Sequence, residues 1–173
     1  MENKNLKQEY EIGMVGLGVM GRNLLLNMAD HGFSVAGYDK DQSKVEALRI
    51  EAEKRDIHCT TNLKDFISNL RIPRTIILLV PAGAPVDSVI NELVVYLQKE
   101  DLIIDSGNSY FKDTNLRTIR LKKKGILFMG MGISGGEEGA RHGASIMPGG
   151  LKKAYERVKG ENRRCMPFLE RIF

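Results

Sequence analysis

The strongest constraint on the fold is a regular alternation between short apolar runs and longer amphipathic stretches. Near-continuous apolar strands separated by helices are what a parallel sheet covered on both faces requires. The alternation therefore predicts a doubly wound α/β domain that binds ligands at the carboxyl ends of its strands. Predicted strands cover residues 11–15, 34–38, 57–60 (the weakest), 74–80, 102–105 and 125–130, and predicted helices cover residues 20–31, 41–54, 62–70, 85–97 and 112–124.

Composition excludes several classes of protein. The chain has 173 residues, of which 42% are hydrophobic and 28% charged, a balance typical of one soluble globular domain. No apolar run approaches the ~20 residues that span a bilayer, so we expect no membrane association and, by default, a cytoplasmic protein. The net charge of +4 suits an anionic ligand, but no basic stripe interleaved with aromatics indicates nucleic-acid binding. Cys59 and Cys165 lack partners at metal-ligand spacing, so no metal site is predicted.

A glycine motif occupies the first strand-to-helix turn. "GLGVMG" places Gly16, Gly18 and Gly21 at G-x-G-x-x-G spacing, directly after the first predicted strand. In such a turn the first glycine permits the tight bend, the second lets a pyrophosphate approach, and the third lets the helix pack on the strand. The motif predicts a Rossmann-like dinucleotide site, with a purely structural turn as the alternative. Its predicted cofactor-binding residues are Gly16, Leu17, Gly18, Val19, Met20 and Gly21.

An acid and a base compete at the end of the second predicted strand. Asp39 follows the glycines at close to the ~20 residues expected of an acid that binds the adenosine ribose hydroxyls, which favours NAD slightly. Lys40 would instead neutralise the 2′-phosphate of NADP, although Asp39 and Asp41 would repel that group. Alternatively, Lys40 and Lys44 are solvated charges on the next helix, whose start Asp41 or Ser43 caps. The cofactor is thus NAD or NADP.

Two further strand ends carry candidate residues. "LLVPAGAPVD" brings Pro81 and Ala82 to the tip of a buried strand, where backbone would lie against a cofactor, unless this is an ordinary turn with Pro85 near the helix start. "IIDSGNSYFKDT" ends the next strand, and the amide of Asn108, both donor and acceptor, suits a polyhydroxylated substrate. Turn formation is again the alternative.

The segment "GMGISGGEEGARHGASIMPGG", residues 130 to 150, is unusually rich in glycine. It is expected to form a loop whose free backbone amides cradle an anion, with the hydroxyl of Ser134 added. Glu137 and Glu138 are neighbours in sequence and therefore cannot flank one bond as an acid/base pair. His142 lies beside this loop and either contacts ligand or is solvated.

Three stretches, in this order and spacing, resemble one family. "GLGVMGRNLLLNMADHGFSVAGYDKDQSKV", "IDSGNSYFKDTNLRT" and the 130 to 150 segment are similar to the N-terminal domain of decarboxylating 6-phosphogluconate dehydrogenases. The resemblance covers roughly residues 10 to 150, and SGGEEGAR is its most specific part. The related 3-hydroxyisobutyrate dehydrogenases share the glycine turn and an SGG loop but not this acidic continuation.

The resemblance implies an activity and a set of roles. The activity is oxidation of 6-phosphogluconate by hydride transfer to NAD(P), then decarboxylation to ribulose 5-phosphate, in gluconate metabolism and the pentose phosphate pathway. It implies that residues 16–21 hold the pyrophosphate, that Val80, Pro81 and Ala82 line the cofactor, and that Asn108 lies between cofactor and substrate. Ser134, Gly135 and Gly136 would contact the sugar acid.

Departures from the family pattern qualify these expectations. NADP-dependent members usually carry Asn-Arg-Thr at residues 39–41. Members of the family commonly have Lys where this chain has Pro81, and Gly where it has Ser106. "KGENRRCM", residues 159–166, looks like an insertion. The family's acid/base Lys lies in an H-x-V-K-M-x-H-N-like helix, followed by an acidic residue, and neither occurs in these 173 residues. We therefore expect cofactor binding without turnover and no catalytic residue in this chain.

The predicted organisation follows from the same pattern. Residues 1–150 are expected to form the dinucleotide-binding domain, and residues 151–173 a helical tail leading to an all-helical domain absent from this chain. The resemblance implies a homodimer for the longer protein, and the sequence leaves the oligomeric state of this chain alone open, with a monomer as one option. Two other hypotheses stay open: a 3-hydroxyisobutyrate-type dehydrogenase, and a nucleotide-sensing module with no chemistry.

Overall fold

A seven-stranded sheet forms the centre of the molecule, and the strand order is β3-β2-β1-β4-β5-β6-β7. The computed structural model describes residues 9–159. Strands β1 to β6 are parallel, and β7 pairs antiparallel with β6. This confirms the predicted doubly wound, mainly parallel sheet. The strands are β1 (Ile12–Val15), β2 (Val35–Tyr38), β3 (Ile57–Thr60), β4 (Thr75–Leu78), β5 (Leu102–Asp105), β6 (Leu127–Ser134) and β7 (Ser145–Gly150).

Helices connect the strands much as the periodicity predicted. Asp41 caps α2, since its side chain accepts a hydrogen bond from Ser43 N at 2.9 Å. Pro85 lies in the first turn of α4, and Gly125, at φ 74°, follows the end of α5. The helices are α1 (Val19–Asp30), α2 (Gln42–Ala52), α3 (Leu63–Ser68), α4 (Ala84–Leu93), α5 (Phe111–Lys122), α6 (Gly136–His142) and α7 (Lys152–Lys159).

The sheet separates two layers of the core. Alternate strand residues face opposite sides, so that Ile77 packs with α1 and α2 while Ile76 packs with α3 and α4. Helices α6 and α7 join the first layer, and α5 joins the second. Both faces of the parallel sheet are therefore covered, as continuous apolar strands require.

The glycine-rich segment at 130 to 150 differs from its prediction. It is not a loop: β6 continues to Ser134, α6 follows, and β7 returns beside β6. Met129, Met131 and Ile133 are buried at every second position, with glycines between them. Apolar residues therefore do alternate along this stretch with the period of two that is typical of a strand. The glycines obscured this pattern because glycine is rare in strand interiors.

Two other elements depart from expectation. On α5, helical spacing of Leu116, Ile119 and Leu121 predicts one apolar face, but only Leu121 of the three is buried, while Leu116 and Ile119 are 66% and 58% exposed. Helix α7, expected as a tail, buries Ala154 and Val158 in the first layer of the core. The rest of the predicted tail, residues 160–173 with Cys165, lies outside the described residues.

No helix between residues 9 and 159 is long and apolar enough to cross a bilayer. Over the same residues, no group of His, Cys, Asp and Glu side chains is arranged to hold a metal ion.

Candidate functional site

The glycine turn lies where the strand order reverses, between β1 and β4. Gly16 has φ 98°, and a Cβ there would lie 2.4 Å from the Leu79 carbonyl oxygen. A Cβ on Gly21 would lie 1.9 Å from the Gly16 carbonyl oxygen, so only glycine allows α1 to start this close to β1. The bend and the close packing predicted for these two glycines are what the geometry requires.

Gly18 differs from Gly16 and Gly21, the other two glycines of the motif. It has φ −60°, and a Cβ there would meet no protein atom within 4 Å. Nothing in the described chain therefore requires glycine, whereas a ligand lying against the backbone would. Gly18 is the N-cap of α1, whose first turn contains no acidic residue and no capping side chain. The unpaired backbone amides and the positive end of the helix dipole at the start of α1 suit a pyrophosphate.

Two clefts flank this turn. The first, the β2-side cleft, measures about 470 Å³ and runs from the turn to the end of β2. The second, the β5-side cleft, measures about 340 Å³ and runs from the turn to the loop after β5. Gly18, Leu79, Val80 and Pro81 line both clefts. Two clefts that meet at this glycine turn match in number the two mononucleotide halves of a dinucleotide.

Asp39 closes the far end of the β2-side cleft. Its Oδ2 accepts a hydrogen bond from Leu17 N at 2.8 Å, and its Oδ1 accepts one from Asp41 N at 3.0 Å. The carboxylate is thereby held against the glycine turn, with its side chain 12% exposed. Because each carboxylate oxygen has a second acceptor site, Asp39 retains capacity for two ribose hydroxyls.

The neighbouring lysines also line the β2-side cleft. Lys40 points away to α4, where its Nζ donates to Glu92 Oε1 at 2.7 Å. This hydrogen bond raises the pKa of Lys40, which stays cationic at neutral pH. Lys44 lies on α2 with its Nζ 3.7 Å from Asp39 Oδ2. Asp39 is thus the acidic group at this end of the cleft, and Lys40 is paired with Glu92.

The β5-side cleft gathers several of the other predicted residues. Val19, Met20 and Asn108 line it, together with the shared Val80 and Pro81. Asn108 has φ 57°, a left-handed conformation that asparagine adopts more readily than most residues. Ala82 is exposed in the turn before α4, and it lines neither cleft.

The predicted substrate residues occupy the same edge of the sheet. Ser134 ends β6, and Gly135 and Gly136 follow it at the start of α6, all three exposed. They line neither cleft, although Ile133, one residue earlier, lines the β5-side cleft. Asn108 also lines a separate cleft of about 790 Å³ between α5 and the β6–β7 hairpin. His142 is exposed at the end of α6, with its Nε2 3.6 Å from Glu138 Oε2.

Sequence reasoning missed Arg117, a buried residue of α5. Its guanidinium donates five hydrogen bonds: two to Asp87, and one each to Asp105 Oδ2, Ser109 Oγ and the Gly83 carbonyl. All five of its N–H donors are therefore used. These hydrogen bonds lower the pKa of Asp87 and raise that of Arg117. Arg117 joins the loops after β4 and β5, the two that border the β5-side cleft.

The signal for Arg117 in the sequence was weak. It lies four residues before the buried Leu121, so helical spacing puts both on the inner face of α5. A charged residue on an inner face indicates a buried ion pair, but the partners come from α4 and β5 and are not local in sequence.

Comparison with known proteins agrees with this geometry. A sequence profile described as the NAD binding domain of 6-phosphogluconate dehydrogenase matches residues 11–160. The chain belongs to this family. A relative in Saccharomyces cerevisiae, named 6-phosphogluconate dehydrogenase, decarboxylating 1, is 56% identical over 150 residues, which is 86% of this chain and 31% of the yeast protein. This confirms the resemblance inferred from the motifs.

A Bacillus subtilis relative carries a more specific name. It is called 6-phosphogluconate dehydrogenase, NADP(+)-dependent, decarboxylating, and is 46% identical over 164 residues, covering 95% of this chain and 34% of the relative. The chain thus spans about a third of the length of these curated relatives, corresponding to their N-terminal portion.

Solved structures agree on the fold. Plasmodium falciparum 6-phosphogluconate dehydrogenase, described as apo, with NADP+ and with 6-phosphogluconate, matches at TM-score 0.81 and 40% identity. That match covers 86% of this chain and 32% of the Plasmodium chain. Mycobacterium tuberculosis 3-hydroxyisobutyrate dehydrogenase matches at TM-score 0.77 with 21% identity, over 95% of this chain and 52% of that one. At this identity the second likeness shows the fold alone.

Proposed function

We propose that this chain is the NAD(P)-binding part of an enzyme that oxidises and decarboxylates 6-phosphogluconate to ribulose 5-phosphate. The single observation that carries the proposal is a glycine turn with a cleft on each side, in a chain that belongs to the NAD-binding family of that enzyme. Bound NAD(P) would supply the hydride acceptor. The residues of this chain would bind and orient it.

Each cleft receives one half of the dinucleotide in this proposal. The β2-side cleft takes adenosine, because Asp39 lies at the end of β2, where an acid binds the ribose hydroxyls. The amides at the start of α1 take the pyrophosphate, and Gly18 leaves room for it. The β5-side cleft takes the nicotinamide half, beside Asn108.

This chain contains only part of the proposed substrate-binding site. Ser134, Gly135 and Gly136 would contact 6-phosphogluconate, and their place at the same sheet edge as Asn108 supports this role. The acid/base lysine pattern of the family does not occur in the 173 residues. We therefore propose that this chain binds cofactor without turnover, and that residues 1–150 form the binding domain and 151–173 lead toward a helical domain of a longer, homodimeric protein.

Asp39 would favour NAD over NADP. A carboxylate accepts hydrogen bonds from a free ribose 2′-hydroxyl, while it repels a 2′-phosphate at the same place. The pairing of Lys40 with Glu92 supports this choice, since the lysine that would neutralise the phosphate already has an acidic partner. Lys44, close to Asp39, is the positive group that would instead favour NADP.

Calorimetric titration of the purified chain with NAD and NADP tests both parts of the proposal. We expect NAD to bind more tightly. Asp39→Asn keeps an acceptor for Leu17 N while removing the charge, so it should weaken NAD about tenfold and strengthen NADP. Lys40→Met is the matched control and should change NADP affinity less than Asp39→Asn does. No binding of either dinucleotide would refute the site, and tighter NADP binding unaffected by Asp39→Asn would refute the preference.

A further inference from the structure

Ser106 carries a polar group that the fold does not use. The residue directly follows β5 and is 2% exposed, and it is one of the residues that line the β5-side cleft. Among residues 9–159 its Oγ has no hydrogen-bond partner, and it is the one buried side-chain oxygen or nitrogen of which this is true. A buried hydroxyl without a partner disfavours the folded state, because water is lost and nothing replaces it.

Nothing in the local backbone explains a serine at this position. The Ser106 amide donates to the Leu78 carbonyl at 2.9 Å, a bond that alanine or glycine would make equally well. The residue forms no helix cap and no turn hydrogen bond through its hydroxyl. The hydroxyl therefore costs stability in the protein alone, and a ligand in the adjoining cleft would supply the missing partner.

The surrounding loop holds Ser106 in place. Asp105 accepts hydrogen bonds from Gly107 N at 3.1 Å and from Arg117 Nη1 at 3.1 Å. A Cβ on Gly107 would lie 2.4 Å from the Val80 carbonyl oxygen, so the loop after β5 presses directly on the loop after β4. With its backbone fixed on both sides, Ser106 stays beside the cleft, and its hydroxyl has only a few staggered positions.

We propose that Ser106 binds the nicotinamide half of the cofactor through its hydroxyl. This inference rests on the proposed function, in which the β5-side cleft takes that half. A serine hydroxyl offers one donor and two acceptor sites, and the carboxamide and ribose hydroxyls of a nicotinamide nucleoside offer both kinds of partner.

The test uses ligands that fill different parts of the site. Ser106→Ala and Ser106→Gly are titrated with the tighter-binding dinucleotide and with ADP, which has the adenosine and pyrophosphate but no nicotinamide half. Both variants should bind the dinucleotide about tenfold more weakly, as expected for one lost hydrogen bond, and bind ADP within about twofold of the unsubstituted chain. The apo melting temperature of Ser106→Ala should be unchanged or higher, because a buried unpaired hydroxyl is gone.

A serine remote from both clefts gives the control. Ser68→Ala, at the end of α3, should leave both affinities unchanged. Unaltered dinucleotide affinity in both Ser106 variants would overturn the inference while leaving the proposed function intact. An equal loss of ADP affinity would also overturn it, since the hydroxyl would then act through the fold. If the unsubstituted chain binds neither dinucleotide, the proposed function fails and this inference falls with it.

Discussion

The two glycine-rich segments of this chain use glycine for different purposes. In the turn at 16 to 21, Gly16 and Gly21 are needed because the backbone of the turn approaches itself and Leu79 too closely for any side chain. In the segment at 130 to 150, a Cβ on Gly130 or Gly132 would meet side chains, at 3.2 and 3.3 Å. Backbone cannot yield as a side chain can, so Gly16 and Gly21 are far less tolerant of substitution than Gly130 and Gly132.

The two segments also meet in space. Helix α1, which begins at the turn, packs along α6, which interrupts the second segment. Asn27 Nδ2 donates to the Ala140 carbonyl at 3.1 Å, and Arg141 Nη1 lies 2.7 Å from Asp30 Oδ2. Two glycine-rich stretches that look alike in sequence thus form a tight strand-to-helix turn and a scaffold that supports the helix behind that turn.

Gly21→Ala should produce the largest effect. Its Cβ would lie 1.9 Å from the Gly16 carbonyl oxygen, so α1 must shift away from β1. We expect a loss of about 3 kcal/mol in the free energy of unfolding, measured by urea denaturation. The matched control from the second segment is Gly149→Ala, where a Cβ meets nothing within 4 Å, and which should change stability by less than about 0.5 kcal/mol. Equal stability of the two variants would remove the proposed difference between the segments.

Gly18→Ala should have an intermediate effect, on binding and not on folding. No protein atom lies near the added methyl group, so stability should fall by less than about 1 kcal/mol, the scale of a changed N-cap. A methyl group in the path of the pyrophosphate should weaken NAD and NADP at least about tenfold in calorimetric titration. Unchanged affinity for both dinucleotides would show that the ligand does not approach Gly18.

The ion pair between α1 and α6 should give the smallest effect, and this effect depends on pH. Hydrogen bonds from Arg55 and Arg141 hold the pKa of Asp30 below its ordinary value. The folded state therefore gains stability above the ordinary carboxyl pKa, and loses it as pH falls through the lowered one. Because Asp30 is 34% exposed, we expect less than about 1 kcal/mol from Asp30→Asn at about pH 7, and no difference at about pH 2.

Salt and a remote acid provide the checks for Asp30. The destabilisation by Asp30→Asn should shrink in about 1 M salt, where exposed charges are screened. Glu138→Gln, on α6 with a side chain 90% exposed, should show no such pH dependence. A loss for Asp30→Asn that is constant with pH would mean that Asp30 acts by packing and not by charge.

Much of the fold was predictable because its signals are local. Apolar runs and their flanking helices located β1 to β5 and α1 to α5, and the spacing of Gly16, Gly18 and Gly21 identified the turn. The β6–α6–β7 arrangement was not predictable in the same way. Its strands are stabilised by pairing with each other and by packing on α1, neither of which is visible within a short window of sequence.

Side-chain partners were the least predictable part of the site. Asp39 was identified from its spacing, but its bond to Leu17 N and the pairing of Lys40 with Glu92 depend on how loops and helices meet. The same holds for Arg117, whose partners lie on α4, β5 and the loops beside them.

The sequence by itself determined the class of fold, the dinucleotide turn and the family, because hydrophobic period and glycine spacing are properties of neighbouring residues. The tertiary structure decided which groups face the ligand. It paired Lys40 with Glu92 beside the β2-side cleft, used every donor of Arg117 to join two loops, and left the hydroxyl of Ser106 without a partner. Hydrogen bonds and burial depend on atoms brought together from distant parts of the chain, so they appear only when the sheet is assembled.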